Sequence, residues 1–443
     1  MGRLFGTDGI RGKANVDLKP ALAQALGRAT VQALLPAGGA VLVGRDTRRS
    51  GDMLMAALVA GITSMGADVH RLGVVPTPAL AFLTGEGPFQ AGIMVSASHN
   101  PADDNGLKVI GGDGMKLDDA QEEAIDDLIW RADEFVGPLN SGLGRDIDAH
   151  GHLDRYLEHR TGLARRIHSS LRVVVDCANG AGVVVAPALL AATGASIDVI
   201  FDAPDGSNIN FHCGATAPEA LARRVADLGA DVGFALDGDA DRCVAVDERG
   251  HVVDGDQLIG TLALERLRRD ALAGRTLVVS VLSNGGLATV VEGAGGRVVR
   301  TPVGDRYILD AMLVAGAGLG GEKSGHVIVA EHASTGDGVL TALEILRVLA
   351  DAGQPLSELA AQVPLYPQEQ RAVHVRHKDQ WQADGPLAAA VRAAETELVG
   401  RGRVLVRPSG TESALRIMVE GEDGERVVEL ADALAALAAE RLH

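Results

Sequence analysis

Short β-branched runs alternate with longer Ala- and Leu-rich segments of helical period along most of the chain. That is the pattern of βα units that build largely parallel sheets, so the expected class is α/β. The stretches 40–51, 172–182 and 276–286 repeat one plan: an apolar strand, a small-residue loop, then a helix close behind. They read as early strands of three similar domains, although any α/β protein supplies strands of this kind. Loops at 137–144, 253–256 and 364–367 punctuate the chain. Beyond them the pattern predicts strand 371–375, helix 386–398, strands 403–406 and 414–420 and helix 425–442, a smaller α+β domain.

Composition narrows the function classes. At 443 residues the chain exceeds the ~250–300 at which one core stops growing, which implies two to four domains. Lys and Arg number 41 against 59 Asp and Glu, a net charge of −18 that disfavours nucleic acid and anionic lipid as partners. Cys177, Cys213 and Cys243 are far apart and form no C-x-x-C, which points away from disulfides and zinc and towards a reducing, cytoplasmic setting. No run of 18 apolar residues and no signal-peptide pattern occurs, so neither export nor a membrane span is expected. The 56 glycines exceed the usual ~7% and suggest loops where backbone approaches a ligand closely.

Four loops carry candidate chemistry. In 91–108 an apolar strand ends in Ser96, Ser98, His99, Asn100 and Pro101. Ser98 or Ser96 at such a strand end suits a nucleophile or a phosphoryl carrier, or a plain turn. In 231–242 Asp237, Asp239 and Asp241 follow a strand at i, i+2, i+4. Their charges would repel unless a cation lay between them, and oxygen-only ligands favour Mg²⁺ or a similar ion. An EF-hand does not fit, because Arg242 stands where glycine is needed and both flanks read as strands; a solvated acidic turn remains the plain alternative. In 320–326 Glu322 and Ser324 suit the hydroxyls of a sugar and His326 a proton carrier, unless this is a simple glycine-rich turn. In 406–413 Arg407, Ser409, Gly410 and Thr411, with Arg416 beyond, make a phosphate cradle or a structural turn; no Walker A sequence is present.

Together the loops describe phosphoryl transfer to and from a phosphorylated sugar. A phosphoserine would face Mg²⁺ on the three aspartates while the cradle grips a second phosphate. Arg11, Arg45, Lys108 and Arg242 would add positive charge near the transferred group, so an acidic protein can still bind an anion.

The stretches 96–101, 237–242, 321–326 and 407–411 resemble the four signature loops of the α-D-phosphohexomutase superfamily, in the same order. The opening 5–12 and the stretches 204–219 and 303–307 resemble its branch of bacterial phosphoglucosamine mutases. The resemblance implies four domains, 1–152, 153–254, 255–366 and 367–443, around a central cleft, with three α/β units of mixed sheet and a smaller α+β unit. It implies interconversion of glucosamine 6-phosphate and glucosamine 1-phosphate for UDP-N-acetylglucosamine and peptidoglycan precursors. Ser98, rather than Ser96, would be the phosphoserine, with glucosamine 1,6-bisphosphate as intermediate or activator. One Mg²⁺ would be held by Ser98, Asp237, Asp239 and Asp241; Arg11, Lys108 and His326 would join Ser98 in catalysis. Arg242, Glu322 and Ser324 would bind the sugar phosphate, and Arg407, Ser409, Gly410, Thr411 and Arg416 the other phosphate. The partner would be a small phosphosugar, with no nucleic acid or membrane, and the chain a monomer or homodimer. Phosphomannomutase/phosphoglucomutase activity is the alternative within the same chemistry.

Overall fold

The computed structural model describes residues 4–6, 8–409 and 413–443. Its chain order gives β1 (Ile10–Lys13), β2 (Ala40–Arg45), β3 (Asp68–Val74), β4 (Ala91–Val95), β5 (Asp104–Gly111) and β6 (Asp146–Asp148) in the first sheet. The second holds β7 (Arg172–Asp176), β8 (Ser196–Ile200), β9 (Val232–Leu236), β10 (Cys243–Asp247) and β11 (Val252–Val253). The third holds β12 (Thr276–Ser280), β13 (Arg297–Thr301), β14 (Leu319–Gly321) and β15 (Val327–Val329), and the fourth β16 (Gln368–His374), β17 (Gly402–Pro408) and β18 (Ala414–Gly421).

One four-strand plan recurs in the first three sheets. Spatial order runs β5-β4-β2-β3, β10-β9-β7-β8 and β15-β14-β12-β13. In each, the first-named pair is antiparallel and the other two pairs are parallel. Shared strand order and shared polarity make these three copies of one unit, which decides the question that periodicity alone left open. The strands β2, β7 and β12 are the early strands expected from their apolar runs, and each is buried along most of its length because helices cover both faces. After β7 the anticipated helix is a 3₁₀ turn, Ala181–Val184, and then only Ala186–Ala191, whose Pro187 fits the first turn but not a longer interior.

The chain divides into two compact units. Residues 1–282 with 294–362 hold the three repeated sheets, and residues 283–293 with 363–443 hold the fourth. In the first sheet Leu26, Leu54, Leu58 and Ile62 from helices Pro20–Leu34 and Ser50–Ser64 cover Val41, Val43, Ile93 and Leu107. The two helices approach through glycine: a Cβ at Gly61 would lie 2.2 Å from the Gln24 carbonyl oxygen. The second unit is an antiparallel sheet, β16-β18-β17, with helices Gly385–Glu397 and Gly424–Arg441. Leu387, Val391, Ile417, Val419, Val427 and Leu434 form its core, and Asp384 and Asp423 cap its helices through the Leu387 and Arg426 N–H groups.

A candidate phosphoryl-transfer site

Each chemically rich loop joins an antiparallel pair. Residues 96–103 link β4 to β5, 237–242 link β9 to β10, 322–326 link β14 to β15, and 409–413 link β17 to β18. In the first three, apolar strands end abruptly in polar, tightly turned backbone, and these three loops meet within the larger unit.

Ser98 is buried, with a left-handed φ of 51°, a conformation that costs a non-glycine residue roughly 1–2 kcal/mol. Its hydroxyl donates to Asp237 Oδ2 and lies 3.3 Å from His99 Nδ1. Its N–H donates to Ser96 Oγ at 2.9 Å, and Ser96 donates onward to Asp46 at 2.6 Å. Ser96 is thus a support for the loop, and Ser98 is the serine that faces the acidic cluster. Gly238 lets the two loops touch, since a Cβ there would sit 2.5 Å from the Ser98 carbonyl oxygen.

Asp237, Asp239 and Asp241 are all buried, and one oxygen of each lies within 4.8 Å of the others. Asp239 Oδ2 accepts from Thr77 Oγ1 at 2.5 Å and Lys108 Nζ at 3.0 Å. Asp239 Oδ1 and Asp241 Oδ1 have no hydrogen-bond partner although both are enclosed. Burial, then the neighbouring aspartates, push the Asp237 pKa well up, whereas against burial Lys108 and His326 hold Asp241 well below the usual carboxylate range. Unpartnered buried carboxylate oxygens on a tight oxygen-only triad are what a hard divalent cation would satisfy, so the donor set fits such an ion.

Lys108 lies among the carboxylates, as its expected role as added positive charge requires. Burial disfavours its charge, but Asp239, Asp8 and Asp241 at 3.0, 3.1 and 3.6 Å outweigh it and raise its pKa, which keeps the ammonium protonated. His326 lies 3.6 Å from Asp241 by Nδ1, and the Gly336 N–H donates to its Nε2 at 3.0 Å. Burial opposes the imidazolium, yet the Asp241 hydrogen bond and charge lift its pKa to about 9. The Gly336 N–H requires a lone pair on Nε2, and this fixed backbone donor outweighs the pull of Asp241, favouring the neutral ring with its proton on Nδ1.

Arg11 pairs with Asp8 and reaches Asn100 Oδ1 at 3.4 Å, so it sits at the serine loop. Arg242 joins the aspartates through its N–H to Asp237 at 3.2 Å and its guanidinium 3.8 Å from Asp241. Arg45 does not join them: it pairs with Asp52 at 2.8 Å and lines a separate surface groove with Arg71 and His150. In the third loop Glu322 accepts the Gly304 N–H at 3.2 Å, and Ser324 Oγ is enclosed without a hydrogen-bond partner. In the smaller unit Arg407 and Arg416 face each other across β17 and β18. Burial and then the Arg416 charge lower the Arg407 pKa, a repulsion that a bound anion would relieve. Ser409 is buried beside them, and Gly410 and Thr411 lie outside the described residues.

Residues to which the sequence assigned no task of their own complete the arrangement, although Asp8 and Asn210 fall in the stretches 5–12 and 204–219. Asp8 holds Arg11 and Lys108, Thr77 orients Asp239, and Arg48 and Asn210 hold the serine loop. Their tasks were not written in the spacing: apart from the Asp8–Arg11 pair, each acts on a partner 90 or more residues away or on bare backbone.

Fold and loops define a phosphosugar mutase, and comparison with known proteins agrees. Descriptions of Phosphoglucomutase/phosphomannomutase match in four parts: alpha/beta/alpha domain I at residues 2–135, domain II at 154–250, domain III at 254–366 and the C-terminal domain at 372–437. A phosphoglucosamine mutase of Moorella thermoacetica is 51% identical over 96% of this chain and 97% of its own. One from Rhodococcus opacus is 48% identical over 98% and 99%. A phosphoglucomutase/phosphomannomutase family protein of Burkholderia thailandensis superposes with a TM-score of 0.85 at 28% identity, covering 99% of this chain and 98% of that one. The fold is shared with an Aspergillus fumigatus N-acetylphosphoglucosamine mutase solved with GlcNAc-6P and magnesium, TM-score 0.72 at 19% identity over 99% and 96% of the chains. The chain belongs to the α-D-phosphohexomutase superfamily, and within it to the phosphoglucosamine mutases, which are isomerases.

Proposed function

We propose that the chain interconverts glucosamine 6-phosphate and glucosamine 1-phosphate, with Ser98 carrying the phosphoryl group. The observation that carries the reading is the Ser98 hydroxyl bonded to Asp237 at the edge of the buried three-carboxylate cluster. In the first half-reaction the sugar hydroxyl oxygen bonds phosphorus as the P–O bond to Ser98 breaks, and the hydroxyl proton ends on the released Ser98 oxygen. The product, glucosamine 1,6-bisphosphate, reorients; the Ser98 oxygen bonds the phosphorus of its other phosphoryl group as that P–O bond to the sugar breaks, and the Ser98 proton, held on its hydrogen bond to Asp237, passes to the freed sugar oxygen.

The donor set fits Mg²⁺, which Asp237, Asp239 and Asp241 would hold together with a phosphoryl oxygen on Ser98. When bound, the ion supplies charge neutralisation for the phosphoryl oxygens. Lys108, fixed as an ammonium, adds positive charge and donates a hydrogen bond to the transferred group, and Arg11 and Arg242 do the same from the other loops. His326, with its proton on Nδ1, is a donor beside Asp241. Glu322 and Ser324 pair sugar hydroxyls, while Arg407, Ser409, Gly410, Thr411 and Arg416 grip the phosphate that does not react. The enzyme works in the cytoplasm as a monomer or homodimer, and among the described residues no helix is long and apolar enough to cross a membrane.

Coupled assays with the phosphates of glucosamine, glucose and mannose test the substrate. Glucosamine 6-phosphate should give the highest kcat/KM; faster turnover of mannose 1-phosphate would overturn the assignment in favour of a phosphomannomutase/phosphoglucomutase.

A further inference from the structure

The backbone of the serine loop is held in a way that its own sequence does not explain. The carbonyl oxygens of Ser98 and Asn100 point the same way, and two side chains meet both of them. Arg48 Nη2 donates to Ser98 O at 3.0 Å and to Asn100 O at 2.7 Å. Asn210 Nδ2 donates to the same two oxygens at 2.8 and 2.9 Å. Each nitrogen carries two N–H groups and each carbonyl oxygen two lone pairs, so two donors and two acceptors saturate each other.

The two donors come from different repeats and are themselves fixed. Arg48, between β2 and helix Ser50–Ser64, is fully buried, with Nη1 3.3 Å from Asp46 Oδ2, and its Nε donates to Asp104 O at 2.9 Å. Asp46 also receives the Ser96 hydroxyl that accepts the Ser98 N–H. Asn210, in the second repeat between β8 and helix Glu219–Leu228, has a left-handed φ of 58°, and its N–H donates to Ala178 O at 2.9 Å. Ser98 is thus locked in its left-handed conformation from both sides of its peptide, leaving only its hydroxyl turned towards Asp237.

We infer that Arg48 and Asn210 form a clamp that positions Ser98 for phosphoryl transfer. They are positioning residues: neither bonds the Ser98 hydroxyl or a carboxylate of the Asp237, Asp239 and Asp241 cluster, and both act through the carbonyls of residues 98 and 100. The physical need is alignment, because in-line transfer demands that the serine oxygen keep its direction while phosphorus leaves it and returns to it, and small misplacements of a reacting atom are costly. Ser98 alone would relax from its strained φ to an ordinary one, swinging the hydroxyl away from the aspartates. The inference rests on the reading of Ser98 as the phosphoryl carrier.

Asn210 is the half of the clamp to change, because it is only partly buried and its backbone conformation can be preserved. Asn210→Gly accepts the left-handed φ and removes the amide, and Asn210→Asp keeps size and turn tolerance but has no N–H to donate. The full-length protein is mixed with glucose 1,6-bisphosphate and Mg²⁺, quenched over time and weighed intact; kcat, KM and thermal midpoint are measured alongside. Both variants should load a phosphoryl group, and turn over, about tenfold or more slowly than wild type, with KM within about threefold and the same fraction folded. Loading and turnover within about twofold of wild type in both overturn the clamp, as does a loss carried by KM or matched by loss of folded protein. Ser98→Ala separates the two readings. If it still gains a phosphoryl group, the carrier assignment falls; if it gains none while both Asn210 variants load normally, the carrier stands and the clamp falls.

Discussion

At Asp239 one carboxylate oxygen is fully engaged by Lys108 and Thr77 while the other is enclosed without a partner. Asp239→Asn keeps the size and the contact with Thr77 and removes the charge. It should lower kcat by about 100-fold or more, a loss of roughly 3 kcal/mol of transition-state stabilisation, while the metal-free thermal midpoint moves by only a few degrees. The rise in midpoint on adding Mg²⁺ should disappear in the variant; near-wild-type activity would mean that the triad is not the metal cage. Asp176 behaves oppositely from an ordinary structural aspartate. Burial outweighs the N–H groups of Gly214 and Ala178, both at 2.8 Å, and raises its pKa from 3.8 to about 6. Because the folded state then holds a proton that the unfolded state releases, its contribution falls as pH rises from about 4 to 6. Asp176→Asn should therefore compare better with wild type at pH 7 than at pH 4 in melting experiments; a difference independent of pH refutes the shift. The aspartate triad was legible in the sequence because three like charges on alternate residues are a local signal. The task of Arg48 and Asn210 was not, although Asn210 falls in the stretch 204–219, because their partners are carbonyl oxygens, which every residue has.

At the scale of elements, strands were legible wherever both faces are covered, since β2, β7 and β12 need continuous apolar runs. In the smaller unit the expected elements fall within three residues of the observed ends: helix 386–398 is Gly385–Glu397, and strand 371–375 is Gln368–His374. Helix contact was not legible. Gly61 sits in the last turn of Ser50–Ser64, where its low helix propensity looks like a defect worth up to ~1 kcal/mol, yet the backbone of Gln24 occupies the place of its missing Cβ. Alanine would gain that propensity but force two helices apart against backbone that cannot yield, and overpacking costs ~1–3 kcal/mol. Gly61→Ala should thus lower the thermal midpoint by about 2–4 °C while kcat per folded molecule stays close to wild type. A midpoint that rises would show that the helices have room.

At the scale of the whole molecule, the repeats of the larger unit are tied by a buried ion pair. Arg160, on helix Leu153–Ala164, lies 3.0 Å from Asp337, which also accepts the Tyr156 hydroxyl at 2.9 Å and caps helix Gly338–Ala352 through the Leu340 N–H. Arg160 and Asp337 are both fully buried. Arg160→Met fills the space but leaves Asp337 without its countercharge, so it should cost about 3–5 kcal/mol, measured as a lower midpoint in denaturant. An unchanged midpoint would mean that Tyr156 and the helix N-terminus satisfy Asp337 unaided. The sequence by itself determined the class, the strands and the four loops, because hydrophobic period, turn residues and closely spaced charges are local properties of the chain. Only the tertiary structure decided that three sheets share one topology, that Ser98 rather than Ser96 faces the aspartates, that Lys108 is a fixed cation and that Arg45 stands apart. Each of those depends on which distant groups meet a residue and how far burial strips it of water, and neither quantity is written in the residue's own neighbourhood.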